Sequence, residues 1–277
     1  MGTIESYLTN SYNYIIFNFK KLCIGGLMSA IVGAMSGVTT AFIDLFMERA
    51  NYDIMHIIMS FLIYFGIIFI IGLIVSAIIG GYNVRIMKTT VEGLNVAPDW
   101  NNITDLLYRG ILYIVGLVLL NIIFYFIPAI LFVFGIFSLY ISKIIGAFLI
   151  IISILIFIIS VISLWLYSKL AEVNYSVKGF YGFFEFKEIF KMIGIRYIIL
   201  VIIIAIINFI ISLIVVLPLN IIDIFISYSA LANSILTIIY ISIKGISYAL
   251  STFVDFYLGV FSIRAVALYY KDRKGIT

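Results

Sequence analysis

Two apolar segments near the ends of this 277-residue chain carry side chains that could do chemistry inside a membrane. Asp255 lies in the last segment, with Ser251 one helical turn before it. Lys244 begins that segment, and Asp44 closes the first one. A carboxylate in hydrocarbon is costly, and such groups often line ion or proton paths. The alternative interpretation of Asp255 is a protonated or hydrogen-bonded acid that joins helices, and the sequence leaves both open.

Small and hydroxyl residues accompany these acids and the lysine at helical spacing. The first stripe consists of Gly26, Ser29, Gly33, Gly37, Thr40 and Asp44, and the last of Lys244, Ser247, Ser251, Asp255, Gly259 and Ser262. Small residues let helix backbones approach closely, and hydroxyls hydrogen-bond between helices. The stripes predict that the first and last segments pack antiparallel, which would allow Asp44 and Lys244 to pair.

The other residue types give no basis for catalysis. His56 is the only histidine and Cys23 the only cysteine, so neither a metal site nor a catalytic triad can be assembled from them. No Walker A loop or dinucleotide-binding loop is present. We therefore expect a protein that is not an enzyme, that holds no metal or cofactor and that binds no nucleic acid.

The elements that position these residues follow from composition. Hydrophobic residues make up 65% of the chain and charged residues 11%, whereas about a quarter of a soluble domain is charged. The lipid bilayer is therefore the expected solvent, and apolar spans in lipid must be helices because every backbone polar group needs an internal partner.

Six apolar runs are long enough to cross a bilayer, which takes about 20 residues. They cover 22–46, 55–81, 110–142, 144–168, 195–217 and 245–266. The stretch 218–243 is also apolar but carries Asp223, Ser227, Ser229, Asn233 and Ser234. We prefer six spans, with 218–243 as an interfacial, re-entrant or helix-extending segment rather than a seventh span.

The basic residues support that threading. With six spans and both termini in the cytoplasm, only Arg49, Lys143 and Lys244 face outward, and all other lysines and arginines face inward. A seventh span would place Arg264 and the basic residues of 271–274 outside. The positive-inside rule therefore predicts a multi-pass protein of the cell membrane with both termini cytoplasmic.

A loop pattern occurs twice, at 91–103 and 177–189, as V-x-G-x5-[DE]-[WF]-x2-I. Its paired members are Gly93 with Gly179, Asp99 with Glu185, and Trp100 with Phe186. Pro98 precedes the first acid, so Asp99 is predicted to cap a helix. Apolar residues after each acid recur at helical spacing, which predicts a short amphipathic helix with its Trp or Phe in the headgroup layer.

These patterns predict an all-α integral membrane protein. It would have six transmembrane helices in three parallel-repeated hairpins, each preceded by a cytoplasmic-face amphipathic helix and returning at Arg85, Lys169 or Arg264. We expect a single membrane domain over 1–277. Its repeat units would be 12–85, 90–170 and 176–268, and a short basic cytoplasmic tail would follow at 269–277.

The two loops also resemble those of a known family. The runs 81–85, 92–93 and 98–100, and then 174–175, 179–180 and 184–189, are similar to the loops of a largely archaeal membrane family, domain of unknown function 4013. The resemblance covers about 22–264. It implies a polytopic membrane protein and no established activity.

Two functions remain open from the sequence. The first is a non-catalytic membrane scaffold that binds lipid, a membrane protein partner or a second copy of itself. The alternative is a transporter of a small solute, ion or lipid, with a polar cavity between the first and last spans. Loss of a bound partner after changing Trp100 and Phe186 would favour the first, and flux that depends on Asp255 would favour the second.

Overall fold

The computed structural model describes residues 2–48, 54–230 and 234–276, and within them it contains helices joined by loops and no strand. Side chains are described there except at 46–48, 54–65, 223, 227–230 and 234. The helices are α1 (Ile4–Phe17), α2 (Phe19–Glu48), α3 (Ile54–Val91), α4 (Ile103–Leu139), α5 (Lys143–Lys178), α6 (Phe186–Met192), α7 (Ile195–Ala230) and α8 (Ser234–Lys274), with a 3₁₀ turn at Phe180–Phe184.

Six of these helices, α2 to α5, α7 and α8, are long and apolar enough to cross a membrane. The predicted all-α membrane fold with six spans is confirmed. Helices α7 and α8 take up the described parts of 218–243, so that stretch extends two helices and forms no separate element. The polar side chains predicted there, at 223, 227, 229, 233 and 234, lie outside the described side chains, as does His56.

Helix pairs organise the bundle. Helices α2 and α8 pack antiparallel, from Gly25 beside Phe256 to Asp44 beside Tyr240, and α3 with α4, α4 with α5 and α7 with α8 form further pairs. Two glycines allow the closest crossing, between α3 and α4. A Cβ on Gly110 would lie 2.9 Å from Ala77 Cα, and one on Gly81 would lie 2.9 Å from Leu106 Cα. Neither separation leaves space for a side chain.

The buried core is concentrated at one end of the bundle. We call this the capped end, and it consists of α1, the loop 92–102, residues 179–194 and the last turns of α8. The first and last described segments meet here, since the Gly2 backbone N–H and the Tyr7 hydroxyl donate to Asp272 Oδ2 at 2.5 and 2.8 Å. The segment predicted as a tail continues α8 to Lys274, with Tyr269 and Tyr270 buried.

Candidate functional site

The first repeated loop is fastened to the bundle through Arg85 on α3. Helix α3 ends at Val91, and Gly93 turns the chain with φ +89°, a conformation that glycine adopts at no steric cost. The Arg85 guanidinium donates to the carbonyl oxygens of Asp99 and Asn101 at 3.1 and 2.8 Å. These bonds hold the end of the loop against α3.

The predicted capping role of Asp99 is wrong. Helix α4 starts at Ile103, and its cap is Asn102, whose side-chain oxygen accepts from the Asp105 N–H at 3.3 Å. Asp99 instead pairs with Lys21 Nζ at 2.6 Å. No separate amphipathic helix precedes α4, because the chain runs directly from the loop into the long helix. Asn102 has φ +53°, so its left-handed conformation, rather than the acid after Pro98, sets the start.

Trp100 packs against the bundle. Its ring stacks on Tyr82, with centroids 3.6 Å apart, and its indole N–H donates to the Lys21 carbonyl at 2.8 Å. The Tyr82 hydroxyl donates to the carbonyl of Pro98 at 3.0 Å. A buried indole N–H needs such an acceptor, and this one joins the loop to the start of α2.

The second repeated loop also begins with a glycine of positive φ, but a separate short helix follows it. Gly179 (φ +79°) ends α5, and the 3₁₀ turn leads into α6, a separate short helix with Ile189 and Met192 buried. Glu185 accepts from Asn174 Nδ2 at 2.9 Å. Phe186 stacks on Tyr167, with ring centroids 5.1 Å apart, so it also packs against the bundle.

Two lysines anchor this second loop. Lys178 Nζ lies 2.6 Å from Glu185 Oε2, and Lys274 Nζ lies 2.7 Å from Glu188 Oε2. Hydrogen bonds from Lys178 and Asn174 lower the pKa of Glu185, and bonds from Lys274 and Lys178 lower that of Glu188. The carboxylates are therefore ionised at neutral pH, and they connect the turn to α5 and α8.

Arg264 is the buried centre of the capped end, a role that the sequence did not indicate. Its side chain is 1% exposed, and it donates to Thr90 Oγ1 at 2.8 Å, the Leu94 carbonyl at 2.9 Å and Asn95 Oδ1 at 2.5 Å. Its guanidinium lies 4.0 Å from the centre of the Tyr14 ring. Arg264 thus joins α8 to α3, the first loop and α1.

Tyr14 does not neutralise this arginine. Burial raises the pKa of Tyr14 to about 12, although Arg264 opposes the shift. The phenol is therefore neutral at physiological pH, and within the described residues Arg264 has acceptors but no acidic partner. A buried charge of this kind persists only where several oriented dipoles hold it. The only signal in the sequence was the position of Arg264, a basic residue at the end of the last predicted span.

A half-open cleft of about 270 Å³ lies between the capped-end portions of α3, α4 and α5. Polar residues in its lining include Lys88, Asp105, Tyr108, Arg109 and Ser176, and apolar side chains such as Leu112 and Phe180 line it as well. The cleft therefore combines two cations and one acid with apolar walls. The sequence did not single it out, because its residues come from three helices and are far apart along the chain.

The predicted pairing at the opposite end of the bundle is present. Lys244 Nζ lies 3.2 Å from Asp44 Oδ2, which also accepts from the Tyr240 hydroxyl at 2.8 Å. The small residues beside them bring α2 and α8 into backbone contact. A Cβ on Gly33 or on Gly37 would lie 2.5 Å from a carbonyl oxygen of α8, so the helices leave no space between them at these positions.

Asp255 is not brought into this contact. Its side chain is exposed on the surface of α8, and no hydrogen bond or ion pair joins it to another described residue. Ser251, one turn away, is half-buried. Of the four polar residues predicted within the spans, the structure therefore joins Asp44 with Lys244 and leaves Asp255 and Ser251 apart from them.

Sequence comparison matches this chain to a protein family and to one relative. Residues 64–221 match the family model described as "Protein of unknown function (DUF4013)". The chain belongs to the DUF4013 family. It is also 42% identical, over 99% of its length and 98% of the relative's, to the uncharacterized protein MJ1189 of Methanocaldococcus jannaschii. No solved structure matches the chain. The DUF4013 match includes Arg85, both loops and all residues that line the cleft.

Proposed function

We propose that this DUF4013 protein is a non-catalytic membrane scaffold whose capped end lies in the cytoplasmic headgroup layer and binds lipid there. The observation that carries the proposal is the concentration of cations and of the buried core at this one end. Clustered basic residues attract anionic headgroups, by about 1 kcal/mol for each residue near the surface. A cap that is fixed by Arg85 and Arg264 can present those charges in constant positions.

The capped end also has the construction of a platform. Each repeated loop is tied to at least two helices, the first through Arg85 and Lys21 and the second through Lys178 and Lys274. Side-chain hydrogen bonds to loop carbonyls fix backbone that has no helical partners. Such a platform supports binding of lipid, and it would equally suit a membrane protein partner or a second copy of the chain.

The transporter alternative has less support. It requires a polar cavity between the first and last spans, whereas Gly33 and Gly37 bring α2 into backbone contact with α8. Asp255 lies on the exposed surface of α8 rather than in that contact. A solute path would therefore have to run elsewhere in the bundle.

Melting in lipid nanodiscs tests the scaffold proposal. Purified protein is reconstituted in phosphatidylcholine alone and in phosphatidylcholine with phosphatidylglycerol, and Tm is measured in each. Because a ligand that binds only the folded state stabilises it, we expect a higher Tm with the anionic lipid. Equal Tm values in the two membranes, at low and at moderate salt, would contradict the proposal.

A further inference from the structure

Two cations in the cleft keep hydrogen-bond donors that no described residue uses. Arg109 donates through Nε to both oxygens of Asp105, at 2.8 and 2.9 Å, while its terminal nitrogens have no acceptor among the described residues. Lys88 Nζ lies 4.0 Å from Glu92, its nearest carboxylate. A guanidinium edge and an ammonium that line one cleft are suited to a phosphate, which accepts from both.

The single acid in the cleft does not cancel these charges. Asp105 accepts from Arg109 and also from Arg85, whose Nη2 lies 2.9 Å from Asp105 Oδ2. One carboxylate is thus shared between two guanidinium groups, and Lys88 adds a further positive charge. The cleft therefore keeps an excess of positive charge, which a bound anion would neutralise.

An apolar surface leads away from the cations along α4. Tyr108 is 65% exposed at the mouth of the cleft, and Ile111 and Val115 follow it at helical spacing on the exposed surface of the same helix. A soluble anion would gain nothing from this surface. A lipid would, because its acyl chains can lie along α4 while the headgroup reaches the cations, with Tyr108 at the boundary between them.

From these features we infer that the cleft between α3, α4 and α5 binds the phosphate of an anionic lipid through Lys88 and Arg109. This inference rests on the proposed function, because it needs the capped end to lie in the headgroup layer. It adds a specific site and a ligand chemistry to a general attraction for anionic membranes.

Native mass spectrometry of the detergent-solubilised full chain tests the site. The protein is titrated with phosphatidylglycerol or phosphatidylcholine, and the affinity of the first bound lipid is measured. The test variant is Lys88→Gln with Arg109→Gln, and the matched control is Lys187→Gln with Lys191→Gln. The control residues are exposed on α6, at the same end of the bundle, and do not line the cleft, so both variants lose the same net charge.

We expect the wild type to prefer phosphatidylglycerol. The cleft variant should bind it about tenfold more weakly, as expected for a lost charge-assisted hydrogen bond, and the control should change less than about twofold. Millimolar inorganic phosphate should displace little of the lipid. If the cleft variant melts below the wild type without lipid, Lys88→Gln alone serves as the test variant, because the one ion pair of Lys88 with a described residue is the 4.0 Å contact with Glu92.

Three other results would overturn the inference, and each has a different meaning. Equal losses in the cleft and control variants would indicate general surface attraction, which overturns the site and leaves the proposed function standing. Full displacement by inorganic phosphate would assign the cleft to a free anion. No preference of the wild type for phosphatidylglycerol over phosphatidylcholine would contradict the site and the proposed function together.

Discussion

Replacement of Gly110 by alanine should destabilise the bundle by forcing α3 and α4 apart. The added Cβ would lie 2.5 Å from the carbonyl carbon of Ala77 and 2.9 Å from its Cα. Both are backbone atoms, so no side-chain rotation relieves the contact. The helices must separate by roughly 1 Å to reach the ~3.5 Å optimum of carbon contacts. Overpacking of this kind costs about 1–3 kcal/mol, and about 2–4 °C of Tm for each kcal/mol in a chain of this size.

Thermal unfolding in detergent, followed by circular dichroism, measures this effect, and Gly66→Ala is the matched control. Gly66 lies in α3, the helix that Gly110 of α4 contacts, and a Cβ at position 66 would meet nothing within 4 Å. Alanine is the better helix former by about 1 kcal/mol, so the control should melt at or above the wild-type temperature. Gly110→Ala has the same helix-propensity gain plus the overpacking cost, so it should melt roughly 2–12 °C below the Gly66→Ala control. Equal shifts in the two variants would refute the close α3–α4 crossing.

Three further predictions address single groups. Arg264→Gln should lower the free energy of unfolding by about 2–3 kcal/mol, because it leaves the buried acceptors of Arg264 without a donor. An unchanged Tm would contradict the central position of Arg264. The pKa values of Glu185 and Glu188 are lowered by the lysines that pair with them. The stability that these acids contribute should therefore be present above their ordinary pKa of 4.5, and it should be lost as pH falls through the lower folded-state pKa. The Tm difference between neutral pH and about pH 3.5 should shrink in the Glu185→Gln, Glu188→Gln variant. Asp255→Asn should change stability by less than about 0.5 kcal/mol, and loss of a reconstituted proton flux in that variant would instead favour a transporter.

Periodic patterns in the sequence predicted the bundle well. Runs of apolar residues locate the six spans because only a helix satisfies backbone groups in lipid. The small-residue stripes predicted the α2–α8 contact and the Asp44–Lys244 pair because the spacing of residues on a helix face is regular. Both signals depend on local periodicity, which the fold preserves.

Features that depend on tertiary contacts were missed or wrongly predicted. Asp99 has the residue type and position of a helix cap, yet Lys21 pairs with it and Asn102 caps α4. Trp100 was predicted to lie on a short amphipathic helix, whereas it lies in the loop before α4, where its ring stacks on Tyr82 and its N–H donates to the Lys21 carbonyl. Arg264 appeared to be an ordinary flanking cation, since nothing local indicates that distant acceptors surround it.

The side of the membrane that the capped end faces tests the central claim most directly. In a Cys23→Ser background, Tyr181→Cys places a thiol on the 84% exposed position of the capped end, and Tyr140→Cys places one on the 87% exposed turn between α4 and α5. A membrane-impermeant maleimide is applied to intact cells and to inverted vesicles. Our account predicts that the thiol at 181 is labelled only in inverted vesicles and the thiol at 140 only in intact cells. The opposite pattern would place the capped end outside the cell and contradict the account.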